Sequence, residues 1–275
     1  MIGITEDRER AIRAVVRQAI VSFADGFASK RIAEADHVDG VINRKIHNVF
    51  IASLSADIQY YSALSRSLDS SLGNMLERMA INIASMGYEV TQQVDGVIYQ
   101  GQTDYIAELL ERYQNTRDDN HIAPHISDYQ GMGSRQSGAQ HHKPHKSDYH
   151  LIDRATGMHY LIELKIGGDL DTKKARSEKE ALLEQYCILA NSLGSEDAIK
   201  IFFATAYNKY GEGQPWKQHQ VCQFFADDEL LISRDFWNLI CKSDNGYDIV
   251  LGEYRANAHV ITEALARIKQ VYMSE

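Results

Sequence analysis

The stretch Ser147-Asp-Tyr-His-Leu-Ile-Asp153, then Arg154-Ala-Thr-Gly157, then Met158-His-Tyr-Leu-Ile-Glu-Leu-Lys-Ile166 decides how the rest of the chain is read. Residues 148–153 read as a strand, 154–157 as a turn and 158–166 as a second, more apolar strand. Side chains alternate faces along a strand, so Glu163 and Lys165 point one way while Ile162, Leu164 and Ile166 face the opposite layer. A two-residue turn at Ala155-Thr156 sets Asp148 directly across from Glu163. A bulged turn that uses Gly157 would move the register by one. In either register the hairpin gathers two carboxylates and an ammonium group at one edge of a sheet.

That grouping suits phosphodiester hydrolysis. The reaction needs a hard cation to neutralise phosphate and to lower the pKa of the attacking water, and Asp and Glu oxygens suit Mg²⁺. A lysine beside such a site can hold the water or help deprotonate it, and can stabilise developing charge. A bare acid-x-Lys is a weak signal, and a second one occurs at Asp171-Thr-Lys173. That copy enters a helix from a Gly-containing loop and reads as an N-terminal helix acid followed by solvent-facing lysines. The Glu163 copy lies on a strand behind a turn, with an acid fifteen residues earlier.

Taken together, Asp148-Tyr-His-Leu-Ile-Asp153 and Tyr160-Leu-Ile-Glu163-Leu-Lys165 resemble the active-site hairpin of the PD-(D/E)xK nuclease superfamily. The run from Lys165 to Tyr186, KIGGDLDTKKARSEKEALLEQY, resembles the TdeIII-type group of type II restriction endonucleases. The resemblance implies an α/β fold with a restriction-endonuclease-like mixed β-sheet flanked by helices. It also implies Mg²⁺ dependence and a homodimer that cuts double-stranded DNA at a short palindromic site, of the GGNCC kind. By carry-over Asp148 and Glu163 are expected to hold the metal, with Lys165 as the catalytic lysine. Ser147 stands where the motif usually has proline. Glu77 matches the helix that supplies a further acid, and Gln185, on a helical face with Glu178 and Leu182, matches a glutamine near the active site.

Working outward, residues 6–33 carry Ile12, Val15, Val16, Ala19, Ile20 and Phe23 at close to helical spacing. A second helix is expected over 41–64, with Ile46, Val49, Phe50 and Leu54 on one stripe, and a third from Ser70 or Ser71 to Gly87. Residues 88–99 read as a short strand pair around Asp95-Gly96, a good hairpin dipeptide, and 102–116 as a helix. The chain from Arg117 to Ser147 is rich in Gly, Ser, His, Asn and Gln and reads as a long loop, a candidate DNA-contacting arm. Residues 198–206 form a nearly continuous apolar run expected of a buried central strand, while 236–240 and 261–271 read as C-terminal helices. The domain division expected is 1–69, helical, and 70–275, a nuclease core.

DNA contacts are expected from Arg135, His141, His142, Lys143 and Lys146 before the hairpin. Asn208, Lys209, Gln214 and Lys217, in the loop after the central strand, carry groups that read base edges.

The 275 residues carry 29 Lys and Arg against 38 Asp and Glu, a formal net charge of -9, yet residues 131–179 hold nine basic and six acidic side chains and five of the eleven histidines. The basic character therefore sits around the proposed chemistry. No apolar run is long enough for a membrane span, the N-terminus MIGITEDRER lacks an apolar signal segment, and the three cysteines read as reduced core thiols, so a cytoplasmic protein is expected. The five histidines match no zinc signature, and no GxxxxGK[ST], GxSxG or HExxH run occurs. A structure-selective or repair nuclease of the same fold, or a catalytically silent DNA-binding module, is the alternative reading.

Overall fold

The computed structural model describes residues 4–114 and 123–273. In chain order its elements are α1 (Glu6–Ala33), α2 (Val49–Ala52), α3 (Ala56–Ala84), β1 (Tyr88–Tyr99), α4 (Gln100–Gln114), α5 (Ile126–Tyr129) and β2 (Gln140–Asp153). They continue as β3 (His159–Leu164), α6 (Thr172–Leu193), β4 (Ile199–Thr205), α7 (His219–Cys222), β5 (Leu230–Ile232), α8 (Arg234–Cys241) and α9 (Gly246–Met273).

Two compact units emerge. One takes the chain through Ile83 and again from Ser243; the other runs from Ala84 to Lys242. The first is helical. Thr5 caps α1 by accepting from the Arg8 amide at 3.3 Å, and acids open the helix while Lys30 and Arg31 close it, as the helix dipole favours. Its buried stripe Ile12, Val16, Ile20, Ala24 and Phe27 follows the helical period. Phe27, Tyr60, Leu64 and Ile268 share a core, and Glu253 on α9 holds Arg17 at 2.8 Å.

The second unit is mixed α/β. Its sheet runs β1-β2-β3-β4-β5, with β1, β2 and β3 antiparallel in turn and β3, β4 and β5 parallel. This is the mixed sheet flanked by helices that the resemblance implies. The long helix α6 is capped by Asp171, which accepts from the Lys174 amide at 2.8 Å, and ends on Gly194 in the left-handed region. Lys173 and Lys174 are exposed, so the Asp171 acid-x-Lys is a helix start. Leu182, Leu183, Tyr186 and Ile188 from α6 pack with Val94, Leu161, Ile201 and Phe203 from the sheet.

Several expectations change. Residues 88–99 form one continuous strand, with Asp95 and Gly96 in mid-strand opposite Pro144 and Lys143. Gly96 serves close approach there: a Cβ would meet Ile188 Cγ2 at 2.8 Å. Residues 140–147, expected within a loop, complete β2, and residues 115–122 of that loop lie outside the described residues. The ladder to β1 pairs residues 140–146, which a polar strand with an exposed face needs and periodicity cannot reveal. The stretch expected as a helix over 41–64 is broken into a 3₁₀ turn, α2 and the start of α3. Asn48 caps α2 through the Phe50 and Ile51 amides. Ser70 and Ser71 cap nothing, because α3 runs unbroken through them, and the division expected at 69–70 falls inside that helix. Among the described residues no helix is long and apolar enough to cross a membrane. Cys187, Cys222 and Cys241 are free thiols.

Candidate active site

The hairpin pairs Tyr149 with Ile162, His150 with Leu161, Leu151 with Tyr160 and Ile152 with His159. This is the register that sets Asp148 across from Glu163. The turn is longer than two residues: Gly157 N donates to Asp153 O at 2.8 Å, Asp153 N donates to Met158 O at 2.8 Å, and Gly157 sits at φ 71°. Two extra residues preserve the parity, so the facing of every side chain is kept.

Asp148 is fixed from the neighbouring strand, where the Leu164 amide donates to its Oδ2 at 3.0 Å. Beyond β3 the backbone still pairs, Lys165 N donating to Ala204 O at 3.0 Å. Lys165 Nζ donates to Glu163 Oε1 and lies 2.9 Å from Glu178 Oε1 on α6. Two strands and one helix thus bring Asp148, Glu163, Lys165 and Glu178 together. The turn into α6 is tight: Gly168, at φ 67°, leaves no room for a Cβ, which would meet Trp216 at 2.4 Å.

The electrostatics follow from this packing. Burial and then the charge of Asp148 push the Glu163 carboxyl up to about 8, against the opposing pull of Lys165. Burial alone would lower the Lys165 ammonium, but Glu163 and Glu178 outweigh it and hold the group above the ordinary lysine value. The result is an acidic pocket in which one carboxyl resists ionisation unless a further positive charge arrives. Among the described residues no group of three or more His, Cys, Asp or Glu is arranged to hold a metal ion. Mg²⁺ needs only one or two protein carboxylates beside waters and substrate phosphate, and Asp148 with Glu163 offers that donor set.

The other expected residues fall in different settings. Gln185 is buried on α6 with Oε1 unpartnered; its neighbour on that face, Glu178, is the residue that reaches Lys165. The signal for Glu178 was present in the shared helical face. Glu77 lies on α3 in the helical unit, whereas the constellation above is built within the sheet unit. Lys143 is held by Glu184 at 2.6 and 2.7 Å, with His145 2.9 Å from the same carboxylate. Arg135 stacks on Tyr105, 3.9 Å from the ring centre. Asn208 is occupied in its own loop, donating to Gln214 O at 2.7 Å and accepting from Tyr210 N at 3.0 Å. Lys209 pairs with Asp169 and donates to Gln218. His141, His142, Lys146, Gln214 and Lys217 are exposed.

Two polar pairs are brought together by the fold. His150 and His159 stack and share a hydrogen bond of 2.9 Å, with Thr91 Oγ1 3.1 Å from His150 Nδ1. Lys179, fully buried between the rings of Tyr129 and Phe225, donates to both oxygens of Glu229, which also accepts from Tyr129 at 2.6 Å.

Comparison with known proteins adds the family. The chain matches the family model of the type II restriction endonuclease HinfI over residues 8–256, most of its length. No curated protein and no solved structure matches it. With a mixed sheet that carries an acid-x-Lys on its third strand, and a match spanning both units, the chain belongs to the HinfI family of type II restriction endonucleases, site-specific enzymes that cleave double-stranded DNA.

Proposed function

We propose that this enzyme is Mg²⁺-dependent and of the PD-(D/E)xK kind, cutting a short palindromic site as a homodimer. The observation that carries the reading is the register that sets Asp148 across from Glu163, with Lys165 on the Glu163 face. Asp148 and Glu163 would hold Mg²⁺, which when bound supplies charge neutralisation at the phosphate and a more acidic water. Lys165 donates toward the attacking water and the developing negative charge, and Glu178 keeps its ammonium aimed and protonated. Gln185 would complete the polar lining from α6. The likeness of residues 165–186 supports the TdeIII-type group as the subgroup. DNA would be held through Arg135, His141, His142, Lys143 and Lys146, with Asn208, Lys209, Gln214 and Lys217 on the far loop.

A palindromic site presents the same bases twice about a two-fold axis, which a two-fold dimer matches. Ile46, Val49, Phe50 and Leu54, which share one stripe in the sequence, are exposed in the single chain. Apolar side chains left in water in this way favour association.

Digestion of a defined plasmid with and without Mg²⁺ tests the reading. Discrete fragments in Mg²⁺ and intact plasmid in EDTA are expected; cutting that persists in EDTA would refute the metal-dependent mechanism.

A further inference from the structure

We propose that Thr205 is a positioning residue for Lys165: its buried hydroxyl takes the lysine ammonium when Glu163 turns to the metal. The inference rests on the nuclease reading above, in which Glu163 is a metal ligand and Lys165 acts at the attacking water.

Thr205 ends β4. Leu164 lies opposite Ala204 in the parallel ladder, and Lys165 N donates to Ala204 O at 3.0 Å, so Lys165 and Thr205 are the next neighbours across the two strands. Strands so paired run about 4.8 Å apart. Ile201 and Phe203, earlier on β4, pack in the core with α6, and strand residues two apart share a face. Thr205 therefore faces the α6 side of the sheet. Lys165 faces the same side, since it reaches Glu178 on α6.

The hydroxyl of Thr205 is unused. The residue is fully buried, and among the described residues its Oγ1 has no hydrogen-bond partner. Its neighbour on the other flank is Ile232, whose side chain offers none. The methyl group packs under the loop after β3, with Cγ2 2.8 Å from where a Cβ on Gly168 would stand. A buried hydroxyl without a partner is destabilising, and an apolar side chain of the same shape avoids that penalty. An unsatisfied group kept beside an active site points to a partner gained in another state.

Counting donors identifies that partner. An ammonium has three. Without metal, two of those on Lys165 serve Glu163 and Glu178. Once the Glu163 oxygens turn to a cation, Glu178 alone would hold the lysine, whose flexible stem could swing away. Thr205 Oγ1 supplies the second acceptor from the sheet side. Two donors are then fixed, and the third is aimed at the attacking water.

The test uses two variants of the full-length enzyme, with K165A as control. T205V keeps the shape and removes the hydroxyl; T205S keeps the hydroxyl and removes the methyl. In EDTA, T205V should unfold in urea at or above the wild-type midpoint, because it removes an unsatisfied group. In Mg²⁺ its single-turnover cleavage should fall by about 10–100-fold, while T205S stays within about threefold of wild type. Loss of stability in T205V would make the hydroxyl part of the folding core and overturn the proposal. So would wild-type cleavage by T205V, or equal slowing in both variants, which would assign the effect to packing against Gly168. Full cleavage by K165A would instead overturn the role of the lysine, and this inference with it.

Discussion

Lys165 at the end of β3 and Glu178 in α6 meet at 2.9 Å, so the proposed catalytic ammonium is held from the helix as well as from Glu163 in its own strand. Removing the helix contact should leave the hairpin intact and loosen the lysine. We predict that E178Q lowers the single-turnover cleavage rate by roughly 10–100-fold while DNA affinity in Ca²⁺ stays within about threefold. A rate equal to wild type would mean that Glu163 alone positions Lys165.

Substitution of the trio separates chemistry from binding. D148A, E163A and K165A should each abolish detectable cleavage in Mg²⁺ and retain DNA binding in Ca²⁺, because phosphate and base contacts lie elsewhere. Full cutting by any purified variant would remove that residue from the proposed mechanism.

Burial and Asp148 push Glu163 up to about 8, so in the absence of metal it keeps its proton at neutral pH. A bound cation favours the ionised form and must displace that proton. Mg²⁺ binding should therefore release close to one proton at pH 7, and apparent affinity should rise with pH until about 8 and then level. Calorimetry in buffers of different ionisation enthalpy measures the release directly; a buffer-independent enthalpy would contradict the assignment of Glu163 as a ligand.

The His150–His159 pair predicts acid sensitivity. Burial, and secondarily the neighbouring ring, pulls His150 down to about 4 from 6.5, and burial also lowers His159. Between these limits the unfolded chain binds more protons than the folded one, so stability rises with pH there. The contribution is fully present above about 6.5 and is lost as pH falls toward about 4. Urea unfolding at pH 7.5 and 4.5 should differ by on the order of 2 kcal/mol more in wild type than in H150F, once partial solvent screening is counted.

Lys179 and Glu229 form a buried pair that fixes α6 against the start of β5. K179M strands a carboxylate beside Tyr129 and should cost about 3–5 kcal/mol. Adding E229Q removes the stranded charge and still offers Tyr129 an acceptor, so the double variant should recover much of that loss. Equal stability of the single and double variants in urea would show that no isolated charge is being penalised.

The sequence alone determined the parts whose signal is local. Period-two alternation over 148–166 and an even turn placed Asp148, Glu163 and Lys165 on one hairpin. Helical spacing gave α1, a nearly continuous apolar run gave β4, residues 236–240 were legible as a helix, and the Asp171 acid gave the start of α6. Tertiary structure decided what depends on distant partners. Asp95-Gly96 has the chemistry of a turn, yet long-range pairing with 143–144 outweighs that local preference and keeps β1 straight through it. The polar run 140–146 becomes strand because β1 pairs with it. Glu178 reaches Lys165, and Lys179 its buried partner, through the placement of α6 against the sheet. That placement follows from packing over the whole core, which no spacing within a single segment encodes.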